Sequence, residues 1–190
     1  CNFFCLVLGA APVDPDNPPA GMFVDLWYEL SVGGNTAGYT HQKMGREGDR
    51  VRTLNDTRLK LGRGLAVVEM TSIETTVESL AGKPLEFESR IVMAGQPVVK
   101  QGRFEAGQIT IVATQLGMTQ TDTHPLTEEC LSSWGIFRES IRRGFAPGTS
   151  YTLPVYSPDL RPDGPVSAAV ALGGAEEFTH LGKTLRGRKM

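Results

Sequence analysis

Three cysteines, three histidines and a set of expected strand glutamates are the residues of this 190-residue chain that could carry covalent or acid–base chemistry. Cys130 with His124 or His180 would supply a nucleophile and its base. A thiol needs that base within hydrogen-bond reach and a third group to orient it, and the spacing neither supports nor excludes such a triad. Cys130 sits in Glu128-Glu129-Cys130-Leu131, where flanking carboxylates raise a thiol's pKa, so a half-buried structural thiol is the simpler reading. His41, in Gly38-Tyr39-Thr40-His41, falls on an expected strand and reads as a surface or cross-strand polar residue. Glu69, Glu74 and Glu78 could pair with Glu86 and Glu88 as acid and base. However, two of the first three have the opposite parity to Glu69, and strand glutamates ordinarily form a solvated face against Lys or Arg. No residue is assigned a catalytic role.

Other chemistries find less support. Cys1, Cys5 and Cys130 are an odd count with no CxxC pair, so no metal is expected. The glycines fall in turns. No GxGxxG or GxxxxGK string opens a helix after a strand and no GxSxG elbow is present, so no nucleotide, cofactor or serine nucleophile is expected. A net charge of -2 and a pI near 6.0 leave no electrostatic footprint for nucleic acid or an anionic membrane. Arg138, Arg142, Arg143 and the stretch from Lys183 to Lys189 are local exceptions.

The elements that would position these residues are mainly strands. Leu65 to Leu80 is rich in Val, Ile and Thr and reads as one long strand. After Ala81-Gly82-Lys83-Pro84, the residues Leu85, Phe87, Ser89, Ile91 and Met93 alternate with Glu86, Glu88, Arg90 and Val92, a strand with one wet side. Turns at Gly33-Gly34-Asn35, Glu47-Gly48-Asp49, Ala94-Gly95, Ala106-Gly107 and Leu116-Gly117 separate further strands at hairpin spacing. On the first of these, Val24, Leu26, Tyr28, Leu30 and Val32 share a face. A helix is expected from Trp134 to Arg143, capped by Ser132 or Ser133, with Glu139 early and Arg142-Arg143 late. Its apolar side, Trp134, Phe137, Ile141 and Phe145, must cover something, most simply the sheet. Tyr151 to Tyr156 and Val166 to Leu172 are short strands around a loop, Pro158 to Pro165.

The expected class is therefore mainly β: a curved antiparallel meander sheet, open-barrel or sandwich-like, with one short amphipathic helix packed on it. Residues 21–175 form a single β-rich domain. Residues 1–20 read as the remnant of a signal peptide, with Phe3 to Leu8 apolar and Gly9-Ala10-Ala11 small, plus a Pro-rich spacer, Asp14-Pro15-Asp16-Asn17-Pro18-Pro19; an apolar first strand is the alternative. Residues 176–190 lose alternation and read as a tail or a truncated strand. Export to the periplasm or cell envelope follows from the signal-like start. No integral membrane segment is expected, since the apolar run is too short for a span of about 20 residues.

Trp27-Tyr28 with Gly33-Gly34, Gly38-Tyr39-Thr40-His41, then Glu74-Thr75, Gly82-Lys83-Pro84-Leu85-Glu86-Phe87-Glu88-Ser89 and a Gly107 hairpin occur in an order covering most of Leu26 to Gln115. That order resembles the β-rich region preceding the catalytic core in exported bacterial transglutaminase-like proteins, as does the helix followed by Phe145-Ala146-Pro147-Gly148-Thr149. The resemblance implies an accessory domain that positions or recognises substrate for a downstream papain-like Cys-His-Asp core. No motif of that core occurs in this chain, so the resemblance transfers no catalytic residue. The sheet-plus-helix plan is also similar to periplasmic lipoprotein carriers by fold analogy. An open meander with one helix either is plugged by that helix or holds an apolar ligand, and Met22, Met44, Met70, Met93 and Met118 on or beside strands suit core filling or an adaptable lining. The second function expected is thus a stand-alone envelope protein that binds a lipid or another apolar small molecule in the sheet.

Overall fold

The computed structural model describes residues 2–5, 13–32, 35–63, 66–126, 128–144, 146–158, 160–180 and 183–189. Eight strands follow one another as an antiparallel meander: β2 (Gly21–Val32), β3 (Asn35–Glu47), β4 (Arg50–Arg63), β5 (Ala66–Ser79), β6 (Pro84–Met93), β7 (Gln96–Glu105), β8 (Gln108–Gln115) and β9 (Met118–Pro125). β1 (Asn2–Cys5) pairs with β2 and with β13 (Lys183–Lys189), which pairs with β12 (Ala175–His180). The sheet therefore runs β12-β13-β1-β2 and onward to β9, and among the described residues its two ends do not meet. β10 (Ser150–Ser157) and β11 (Arg161–Ala171) form a separate two-stranded sheet. The expected class holds, mainly β with one short helix, α1 (Ser133–Arg143), among the described residues.

The hairpins follow from local chemistry. At Ala94-Gly95 and Leu116-Gly117 both central residues have positive φ, 50° and 79°, and 51° and 76°, the twist-matched geometry of two-residue hairpin loops. Glycine supplies the second position of each without steric cost.

Strand periodicity then sorts the side chains. Cross-strand partners carry one face through Val24, Met44, Thr53, Thr76, Phe87, Gly102 and Ile111, and α1 lies on that face. Trp134, fully buried, packs with Val24, Leu26, Met44 and Val51, and Phe137 joins them. A second cluster holds Phe87, Ile109, Ile111, Cys130 and Tyr156, with Tyr156 coming from β10. At Gly102 a Cβ would lie 1.9 Å from the Phe87 ring, so the glycine makes room for the aromatic side chain of the neighbouring strand.

Three expectations are corrected. Ser132 stands at the helix N-cap position but makes no side-chain cap bond, and no acidic residue lies in the first turn; Asn55 donates to the Ser133 hydroxyl at 3.1 Å. The cap comes instead from a distant strand, as described below. Glu139 serves the other end of the helix, facing Arg142 and Arg143 at i,i+3 and i,i+4. The expected loop from Pro158 to Pro165 is shorter, because β11 begins at Arg161 and pairs across to Ser157. The stretch beyond Gly173 forms two strands, β12 and β13, paired as a hairpin; register with a neighbour, not alternation, organises it. Phe145 and the Gly33-Gly34 turn lie outside the described residues.

The proline-rich stretch is strapped over the helix. Asp16 accepts from Arg138 and Arg142, and Arg138 Nε donates to the Pro15 carbonyl at 2.9 Å. Arg46 Nη1 donates to Asn17 Oδ1 and to the Pro18 carbonyl, and Pro18 is fully buried.

Candidate functional site

Cys130 is 8% exposed among apolar side chains. Burial, helped by the Glu78 carboxylate, pushes its thiol up to about 11, so the thiolate that nucleophilic chemistry needs is negligible near neutral pH. The carboxylate responsible is Glu78 and not the sequence neighbours Glu128 and Glu129. The side chain of His180 lies outside the described residues; His124 is on β9, opposite Ile109. Among the described residues no cluster of three or more His, Cys, Asp or Glu side chains could hold a metal ion.

The glutamates divide by strand parity as their spacing implies. Glu69 faces away from the helix and pairs with Lys60 at 2.8 Å, both well exposed; such a pair contributes little stability. Glu74 and Glu78 share the helix-bearing face. Glu78 is fully buried and accepts the backbone N–H of Trp134 at 2.7 Å, that of Gly135 at 2.8 Å and the Thr76 hydroxyl at 3.1 Å. Burial pushes the Glu78 carboxyl up to about 7, against the pull of those three donors. The first N–H groups of a helix lack intrahelical partners, and Glu78 accepts from two of them. The buried glutamate is thus a cap that fixes α1 to β5.

Because α1 is fixed, its reach decides what stays open. One step along the strands from the core row, toward their other ends, a polar row crosses the same face: Gln42, Asn55, Glu74, Ser89 and Lys100 are successive cross-strand partners on β3 to β7. At strand spacing the row spans roughly 20 Å. Hydrogen bonds tie it to α1 and to the stretch after β10, and Ser89 within it is buried. Tyr28 donates to Gln42 Oε1 at 3.0 Å, Gln42 donates to Asn55 Oδ1 at 3.0 Å, and Asn55 donates to Ser133 at the start of α1. At the far side Lys100 reaches the Pro158 carbonyl beside β10. Beyond the row, the same face carries Leu59, Met70 and Ile91, half-buried, and Met93, 52% exposed. Met70 and Met93 are direct cross-strand partners.

The opposite face carries His41. Its Nε2 lies 2.6 Å from Asp25 Oδ1, and its ring stacks on Trp27 at 3.9 Å between centroids; Trp27 is 54% exposed. This is the cross-strand polar residue expected, with an aromatic neighbour. A groove of about 580 Å³ on that face is lined by Arg52, Thr75, Glu86, Glu88 and Arg103 among others. Arg103 pairs with Glu86, and Gln101 donates to Glu88 at 3.0 Å, so it is a solvated face whose polar groups satisfy one another.

A family model described as a protein of unknown function (DUF3108) matches residues 27–173. The chain belongs to the DUF3108 family. No curated protein and no solved structure matches it. The DUF3108 match begins at Trp27 in β2 and ends just after β11, so it takes in the polar row, the apolar patch beyond it and α1. Among the described residues no helix is long and apolar enough to cross a membrane.

Reading the sequence missed two features of this face. Glu78 reads as one more strand carboxylate, and nothing in the pattern of its own strand marks it as buried and in need of donors. The polar row requires the register of five strands, which no single strand's pattern contains.

Proposed function

We propose that this is a non-catalytic binding protein of the cell envelope that takes an apolar small molecule on the part of the helix-bearing face left open by α1. The observation that carries the reading is the patch of Leu59, Met70, Ile91 and Met93. These large apolar residues lie on the core side of the sheet, yet a polar row separates them from the core, and α1 packs on β4 and β5 at the other side of that row. A half-buried apolar patch that ends in an exposed Met93 and lies outside the core supports a binding site. The raised Cys130 pKa supports a role without nucleophilic catalysis.

The test is titration of the purified chain with the neutral fluorescent probe N-phenyl-1-naphthylamine. Saturable emission enhancement, lost in Ile91→Asp while the fold is retained, is the expected outcome; no enhancement with the intact chain overturns the reading.

A second reading has its own support in the ordered resemblance from Trp27-Tyr28 to the Gly107 hairpin: an accessory domain that positions or recognises substrate for a papain-like core in an exported transglutaminase-like protein. It is compatible with ligand binding on the same face. Reading the full coding frame for a Cys, His and Asp in the order such a core needs tests it, and a frame without them ends it.

A further inference from the structure

We propose that β9 is a docking edge for a second copy of this chain: two β9 strands pair antiparallel across a two-fold axis at Thr121, so that the sheets of both copies become one. This surface is separate from the ligand-binding stretch proposed above.

β9 is the last strand of the sheet, paired only with β8 among the described residues. Which of its backbone groups look outward follows from the hairpin. Leu116 and Gly117 form a two-residue loop, so Gln115 and Met118, which close it, exchange backbone hydrogen bonds. Pairs alternate from there, and the even-numbered residues of β9 turn their N–H and C=O toward β8. At the other end of the strand the Leu126 N–H donates to the Gly107 carbonyl at 2.8 Å, in the same phase. The odd-numbered Thr119, Thr121 and Thr123 therefore direct their N–H and C=O to the open edge, and all three residues are exposed. β11 approaches β9 without pairing with it, and the half-buried residues of β9 are Asp122 and His124, on the helix-bearing face. Native edges are ordinarily blunted by Lys, an internal Pro or a bulge. β9 has none of these: it holds no Lys or Arg, its one Pro is its last residue, and its register with β8 is regular.

Only one register uses every open group. With Thr121 opposite the partner's Thr121, Thr119 meets the partner's Thr123, and each outward N–H and C=O is paired. The side chains then match. Gln120 lies opposite the partner's Asp122, an amide against a carboxylate; it donates one N–H to Asp122 of its own strand at 3.0 Å, and its second N–H remains for the partner. The threonine pairs prolong hydroxyl contacts that already run from β8, Thr110 to Thr123 at 3.2 Å and Thr114 to Thr119 at 3.0 Å. The exposed apolar tip, Leu116 at 68% and Met118 at 72%, comes beside the partner's Leu126 and the partner's His124. Sliding two residues one way sets Asp122 against the partner's Asp122, and Thr119 against the partner's Pro125, which has no N–H. Sliding the other way sets Thr123 against the partner's Gly117 in the loop.

A second copy is the occupant because the strand is complementary to itself. Pairing β9 with another copy's β12, the opposite edge of the sheet, would repeat without closing, whereas the two-fold pair closes. The axis stands perpendicular to the sheet, so both helix-bearing faces look the same way.

Sedimentation equilibrium of the full chain across the micromolar range tests this against a single-copy mass of 20.6 kDa. Twice that mass is expected for the parent and for Thr121→Val, which keeps the backbone N–H. Thr121→Pro removes an N–H that faces the edge and no bond within the chain, and it is expected to sediment as one copy with unchanged far-UV circular dichroism. Should Thr121→Pro not fold, Thr121→Lys, which opposes two like charges at the axis, is expected to give the same single-copy mass. A single-copy parent, a dimer that persists in the folded variant, or masses that climb beyond two copies overturns the inference, and each leaves the proposed function standing.

Discussion

Glu78 and Trp134 are joined by a 2.7 Å hydrogen bond from the helix's backbone to a strand's buried carboxylate. The same tryptophan fills the core with its ring and donates from Nε1 to the Leu80 carbonyl at 3.1 Å. One helical turn is thereby tied to β5 and to the turn that follows it. Glu78→Ala leaves the Trp134 and Gly135 amides buried and unpaired, and a loss of about 2–4 kcal/mol is expected. Glu78→Gln keeps an acceptor and should lose less. Urea unfolding followed by tryptophan emission measures both, and an Ala variant as stable as the parent would show that the cap contributes nothing.

The same carboxylate makes stability depend on pH in an unusual direction for an acid. Its folded-state pKa, about 7, lies above the ordinary 4.5, so between these values the folded chain holds a proton that the unfolded chain has released. The contribution is fully present below about pH 4.5 and is lost as pH rises through 7, amounting to roughly 3 kcal/mol across the window. Comparing the intact chain with Glu78→Gln at several pH values isolates this group: the difference in unfolding free energy should shift in favour of Gln as pH rises from 5 to about 7 and level off above it. A difference independent of pH would place the carboxyl near its ordinary value.

Gly82 and Gly135 touch backbone to backbone where α1 meets the turn between β5 and β6. A Cβ on Gly135 would lie 2.7 Å from the Gly82 carbonyl oxygen, and one on Gly82, where φ is +81°, would lie 2.9 Å from the Gly135 Cα. Neither neighbour is a flexible side-chain end, so the helix itself would have to move. Gly135→Ala is expected to destabilise by about 1–3 kcal/mol despite alanine's better helix propensity. Thermal unfolding tests this, and a raised Tm in Gly135→Ala would mean that the helix docks more loosely.

Much of the fold is legible in the residues because hairpin connections make neighbours in sequence neighbours in space. Alternation from Leu85 to Met93 and the glycine turns suffice to place β6 and its partners. The parity that separates Glu69 from Glu74 and Glu78 is likewise local. What is not legible comes from distance along the chain. The two helix amides that donate to Glu78 lie 56 and 57 residues away, and Arg138 meets Asp16 across 122. β13 carries Gly, Lys and Arg without alternation, and it and β12 are strands because each has a pairing partner. The polar row is hidden for the same reason: Asn55, Glu74 and Ser89 are unremarkable on their own strands and become a stripe only in register.

Cys130 offers a test of the non-catalytic reading that needs no ligand. It is 8% exposed, lies against Phe87, Ile109, Ile111 and Tyr156, and its thiol is held at about 11. Alkylation requires both access and thiolate. In the folded protein at pH 8, iodoacetamide should therefore modify Cys130 far more slowly than in urea, with peptide mass mapping distinguishing it from Cys1 and Cys5. Cys130→Ala should bind N-phenyl-1-naphthylamine as the parent does, and its stability should fall by about 1–2 kcal/mol from the cavity left among those aromatic and aliphatic side chains. Rapid native-state labelling of Cys130 would contradict the burial and return the thiol to consideration as a nucleophile.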